Sequence, residues 1–182
     1  MSYTVEREFE HEGLKCVVTF CDMGHRCGYV GIPKEHELYG KKYGDYLDVK
    51  KTDVTWDFNG REVSLILAVM DEEERATLGF YFDCHGGITY SDGGESTKYP
   101  IQSDLWWFGF DCAHYLDGKD LKRAYELFPK EREQILCSMQ MEETYPTDGV
   151  VRTEEYVSEQ CKHLAEQLKE YDERAKEWKS LY

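Results

Sequence analysis

Two short stretches carry most of the side chains able to do chemistry. Asp83-Cys84-His85 is followed by Gly86-Gly87, and Asp111-Cys112-Ala113-His114 repeats the pattern with one residue inserted. An aromatic run precedes each: Gly79-Phe80-Tyr81-Phe82 in the first case, Leu105-Trp106-Trp107-Phe108-Gly109-Phe110 in the second. Carboxylate, thiol and imidazole all bind zinc or a harder divalent cation, so two such groups side by side could hold a metal. The spacing matches none of the well-marked zinc patterns, however, and neighbouring residues on a strand point to opposite faces. A cysteine nucleophile would need Cys84 or Cys112 close to a histidine, and five further cysteines with no special setting make inert buried thiols the simpler reading. No nucleophile elbow marks a serine hydrolase. Hydrolysis by Asp83, His85, Asp111 and His114, with or without a metal, stays open on residue type alone. No catalytic residue, metal ligand or cofactor is assigned.

Binding without turnover needs geometry and no reactive group. The stretch Asp22 to Pro33 places Gly24, Gly28 and Gly31 among His25, Arg26 and Tyr29 and reads as a loop after a strand. Glycines let backbone N–H groups turn toward a ligand, and an arginine among them can grip an anion with a two-pronged hydrogen bond. The expected site lies between this loop and the strand ends at 85–91 and 111–115. Arg26 and the amides near Gly28, Gly86 and Gly87 take phosphates; His25, His85, Asp111 and His114 fix ribose or base edges; Tyr29, Tyr90 or Trp106 stacks on a base.

The elements that must position these groups follow from periodicity. Residues 3 to 10 alternate, Glu12-Gly13 is a turn, and Leu14 to Cys21 is rich in β-formers, so the chain opens on a hairpin. Residues 34 to 48 read as an aromatic-decorated loop. Val49 to Phe58 and Arg61 to Met70 read as strands about the turn Asn59-Gly60. The runs 79–82 and 105–110 read as buried strands that deliver the two Asp-Cys groups, and 91–96 as a polar loop. After His114 the period becomes helical, over 120–127 and again from Pro129 to about Met141. Thr153 then caps a long helix whose apolar side runs through Val157, Cys161, Leu164, Leu168 and Tyr171. The whole implies one α+β domain over 1–182, strand-rich in 1–115 and helical in 119–182, with a largely antiparallel sheet and the last, long helix packed on it.

A chain of 182 residues can bury a core without disulfides. With 37 acidic against 22 basic residues the net charge is −15, which argues against a nucleic-acid polymer as partner. No apolar stretch is long enough for a membrane span and no leader is evident, so neither a membrane partner nor export is expected. Scattered cysteines without a C-x-x-C pair fit reduced thiols and a cytoplasmic location. The extra apolar face of the last helix is compatible with a homodimer.

The blocks Gly24-His25-Arg26-Cys27-Gly28-Tyr29-Val30-Gly31-Ile32-Pro33, His85-Gly86-Gly87-Ile88-Thr89-Tyr90-Ser91 and Trp106-Trp107-Phe108-Gly109-Phe110-Asp111-Cys112-Ala113-His114, together with the helix start Arg152-Thr153-Glu154-Glu155-Tyr156-Val157, resemble a family of small phage, prophage and bacterial proteins. The resemblance covers most of the chain and brings no established reaction. The position of Cys84 is more often aliphatic there, which weakens a metal or nucleophile role for it. A phage setting implies an anti-defence role, such as sequestering a nucleotide that a host defence system uses as its signal, in the host cytosol. The expectation is thus a binding protein for a small anionic, nucleotide-like ligand. The alternatives are a metal-dependent hydrolase built on the Asp/His cluster at 83–85 and 111–114, and an acidic protein-binding inhibitor.

Overall fold

The computed structural model describes residues 2–54 and 73–181. Its centre is a five-stranded antiparallel sheet in the order β1-β2-β3-β7-β6. The strands are β1 (Tyr3–His11), β2 (Leu14–Cys21), β3 (Arg26–Ile32), β6 (Tyr90–Gly93) and β7 (Trp106–Asp111). The opening hairpin turns at Glu12 and Gly13, both at positive φ (51° and 76°), the backbone that a tight two-residue β-turn requires. Two small pairings stand apart: β4 (Tyr46–Lys50) with β5 (Arg75–Thr77), and β8 (Asp117–Gly118) with β9 (Val150–Val151), the latter parallel. The helices are α1 (Leu78–Tyr81), α2 (Leu121–Leu127), α3 (Arg132–Thr144) and α4 (Glu154–Ser180).

One face of the sheet is closed by α4. Its apolar side, Val157, Cys161, Leu164, Ala165 and Leu168, packs on Cys16, Val18, Val30, Phe108 and Phe110, all buried. Burying side chains of this size contributes about 1.5–3 kcal/mol each. The opposite face carries Val17, Tyr29 and Trp107 and is covered by Tyr90, Tyr99, Ile101 and Leu105. The α+β architecture is therefore the one expected, with the long helix packed on the sheet.

Several local elements differ from expectation. The stretch from Arg26 to Ile32 is a central strand and not a loop: it pairs with β2 on one side and β7 on the other. Its glycines serve packing. A Cβ at Gly28 would lie 2.3 Å from Phe110 Cζ and 2.7 Å from Cys161 Sγ, so only glycine lets α4 and Phe110 approach there. The run at 79–82 falls in a short helix, Leu78–Tyr81, ending at Phe82, and not in a strand. Ser91 to Gly93, within the stretch expected as loop, join Tyr90 in the sheet's edge strand, paired with β7. The second helix starts at Arg132, three residues beyond Pro129. The strand expected over 49–58 ends at Lys50, where β4 gives way to a 3₁₀ turn at Lys51–Asp53, and the turn Asn59-Gly60 and the strand 61–70 lie outside the described residues.

Candidate functional site

At one end of the sheet β2 finishes at Cys21, β3 begins at Arg26 and β7 finishes beside it, with Cys27 paired to Asp111. The connections at this end are therefore neighbours: the turn 22–25, the segment 84–89 and the segment 112–118. Backbone hydrogen bonds tie them together, Cys112 N to Arg26 O (2.9 Å), Thr89 N to Gly109 O (2.9 Å) and Asp120 N to Gly24 O (2.8 Å). Thr89 donates its hydroxyl to Asp111 Oδ2 (2.9 Å), and the Ala113 amide donates to Asp111 Oδ1 (3.2 Å).

Asp117 is the hub. Its side chain is 1% exposed. Oδ2 accepts from His85 Nε2 (2.7 Å) and from the His114 backbone N–H (2.9 Å), and Oδ1 accepts from Arg152 Nε (2.7 Å). The other nitrogen of His85, Nδ1, lies 3.0 Å from the Tyr156 hydroxyl. Burial favours the neutral ring, and with Nε2 donating to the carboxylate that leaves Nδ1 to accept from the phenol. Burial pushes the His85 imidazole below its ordinary value, outweighing the pull of Asp117. For Asp117 burial acts to raise the carboxyl, but the hydrogen bonds from Arg152, His85 and the His114 amide prevail and hold it below the ordinary range.

The turn at Gly86 and Gly87, at φ 69° and 83°, brings the second histidine in. A Cβ on Gly86 would sit 2.1 Å from His114 Cε1, so the imidazole of His114 rests directly on the Gly86 backbone. Its ring centre is 5.2 Å from that of His85. His114 Nδ1 lies 3.4 Å from Asp117 Oδ2 yet makes no hydrogen bond, although the atom is buried.

The chain has no significant match among protein-family models, curated proteins or solved structures.

Of the residues expected at the site, the structure gathers His25, His85, Gly86, Gly87, Asp111 and His114 at this one sheet end. His25 sits in the turn between β2 and β3; burial lowers its imidazole, while the carboxylates of Asp111, Asp117 and Asp22 act to raise it. The rest are placed elsewhere. Arg26 does make a two-pronged bond, but to Glu6 of its own chain, with Nε 2.6 Å from Oε2 and Nη2 3.3 Å from Oε1, and its Nη1 donates to Arg152 O (2.8 Å). Arg26 and Glu6 line a polar cleft of about 360 Å³ together with Arg123, Asp120, Thr153 and Glu154. Gly28 is buried against α4. The Tyr29 ring lies on the other face of the sheet, edge-on to Tyr90 (5.5 Å) and Tyr99 (5.3 Å). Trp106 begins β7, at the opposite end from Asp111, and donates its indole N–H to Lys41 O (2.8 Å). Asp83, a member of the alternative hydrolase set, faces His163 on α4 at 3.4 Å. Cys84 and Cys112 are buried, and burial raises the Cys112 thiol far above its ordinary value.

Three members of the cluster were not expected: Asp117, Arg152 and Tyr156. Asp117 follows His114 by three residues in a turn-like Leu-Asp-Gly, a faint signal. Arg152 and Tyr156 flank the cap of α4, where Thr153 accepts from the Tyr156 amide (3.2 Å), and only the fold brings that cap to the sheet end.

Three exposed apolar residues lie close to the cluster in the chain. Tyr115 is 94% exposed and Leu116 57%, on the turn between His114 and Asp117, and Val150 beside them is 59% exposed. The Val150 N–H donates to Leu116 O (2.9 Å), which sets the two backbones side by side.

Proposed function

We propose that the chain binds a small nucleotide-like ligand at this sheet end and holds it without turnover, acting in the cytoplasm. The observation that carries the reading is a contrast at this one sheet end. Asp117 is sealed, while His114 and Arg152 keep 26% and 25% of their side chains open beside the almost fully exposed Tyr115. Exposed apolar side chains next to a fixed polar cluster suit a ligand with one flat face and one polar end. In this reading Tyr115 stacks on a base, and Arg152 and His114 contact phosphate or ribose oxygens. Asp117 and His85 hold those two groups in place and do not touch the ligand themselves. Sequestration of a host-defence signal is the particular role that the likeness to phage proteins suggests.

The test is native mass spectrometry of fresh protein, followed by calorimetry with linear and cyclic nucleotides. A nucleotide that is retained and released unchanged is the expected result. Because aromatic stacking contributes about 1–3 kcal/mol per base, Tyr115→Ala is expected to weaken binding about tenfold. Equal affinity in that variant, or a product in place of the added nucleotide, would overturn the proposal.

A further inference from the structure

We infer that His85, His114 and Asp117 form a binding site for one divalent first-row transition-metal ion with zinc-like ligand preference. One ligand atom from each of the three lies within 4.8 Å of the others. The 3.4 Å between His114 Nδ1 and Asp117 Oδ2 is the separation of two ligands that each sit about 2.1 Å from a shared tetrahedral ion. Among the described residues, His114 Nδ1 is one of two buried side-chain polar atoms without a hydrogen-bond partner, the other being Asp22 Oδ1. A buried nitrogen left bare is costly, and an ion in front of it supplies the missing partner.

The remaining two ligands are already held from behind, as metal ligands are. Tyr156 fixes His85 through Nδ1, and Arg152 fixes Asp117 through Oδ1. Loading the ion replaces the hydrogen bond between His85 Nε2 and Asp117 Oδ2 and opens that pair from 2.7 Å. The His85 proton moves from Nε2 to Nδ1, where the Tyr156 oxygen accepts it, and Asp117 stays a carboxylate throughout. Two imidazole nitrogens and one carboxylate oxygen suit zinc, cobalt, nickel or iron; magnesium and calcium prefer all-oxygen sets. Three protein ligands leave a coordination position free, and the half-open side of His114 is where it meets solvent. The ion would also supply positive charge for an anionic ligand in a chain of net charge −15 whose Arg26 is committed to Glu6.

The inference stands apart from the nucleotide reading because its test uses metal alone. Untagged, chelator-treated protein is titrated with Zn²⁺ by calorimetry and with Co²⁺ by visible absorption. One ion per chain, cobalt ligand-field bands and no competition from excess Mg²⁺ are expected. Tyr156→Phe is expected to weaken binding by about 10–100-fold, and His114→Ala by more. His114 sits at the open edge of the cluster, so circular dichroism and melting temperature can verify that its variant remains folded. Absence of saturable binding, or binding undiminished in folded His114→Ala, would overturn the site. Tyr115→Ala is expected to leave metal binding unchanged, which separates failure of this site from failure of the nucleotide reading.

Discussion

Of the two histidines that meet at Asp117, His85 is buried with both ring nitrogens engaged, whereas His114 keeps part of its surface open and one nitrogen without a partner. The stretches that carry them read alike, yet one follows the short helix α1 and the other the central strand β7. Their aspartates diverge as well. Asp83 faces His163 on the long helix, and Asp111 is tied to Thr89 within the sheet end. The two histidines converge at Asp117, which belongs to neither motif: His85 bonds it through its ring and His114 through its backbone N–H. His85 acts as a fixed post that fastens the 84–89 turn to Asp117 and α4, and His114 as the exchangeable member of the pair. A sealed group supports a site, and a half-open one meets whatever arrives.

The strongest way to break this comparison is to remove the shared acceptor. Asp117→Ala leaves His85 Nε2, Arg152 Nε and the His114 amide without it, and loss of one partner from a buried ion pair costs about 3–5 kcal/mol. Arg152 is partly exposed and can turn to water, so the lower end of that range is expected in urea unfolding. A loss under about 1 kcal/mol would mean that the cluster does not fasten these segments together. Gly86→Ala discriminates between the two histidines. It forces a side chain into left-handed backbone and drives a methyl into the His114 ring, a cost of about 2 kcal/mol. The His114 imidazole resonances should shift while those of His85 stay near their native positions. Equal shifts in both would show that the rings move as one unit.

The legible parts of the fold were those set by local period. The opening hairpin alternates, β7 is an aromatic run interrupted only by Gly109 before Asp111, and the α4 stripe from Val157 to Leu168 repeats every three or four residues behind a threonine cap. What misled was glycine. Gly28 and Gly31 resemble loop residues until Phe110, Cys161 and Trp107 are seen pressing on them, and that contact is tertiary. The site was legible as a meeting of His25, His85, Asp111 and His114, because strand ends bring their flanking turns together. Its hub was not, since Asp117 finds its partners 32 and 35 residues away in His85 and Arg152. Arg26 shows the same limit from the other side: the fork was foreseeable, but the anion in it is Glu6.

A third histidine isolates the effect of burial from that of the carboxylate. His36 is as buried as His85, but its Nε2 donates to Leu168 O (3.0 Å) and its Nδ1 accepts from the Leu38 amide (3.1 Å). Burial pushes its imidazole below the ordinary 6.5, and Asp172, 3.9 Å from Nδ1, offsets this only in part. The unfolded chain therefore takes up a proton at His36 at a higher pH than the folded one. The stability tied to neutral His36 is present above the unfolded value and is lost as pH falls through it toward the folded value. His25 and His85 are displaced in the same direction, so the urea midpoint of the native protein should fall between about pH 7.5 and about pH 5.5. His36→Gln, which keeps a donor for Leu168 O, should show a smaller fall over the same interval. An equal fall would assign the pH dependence to the sheet end, making the carboxylate-bound His85 and its neighbour His25, and not burial in general, the acid-sensitive part of the molecule.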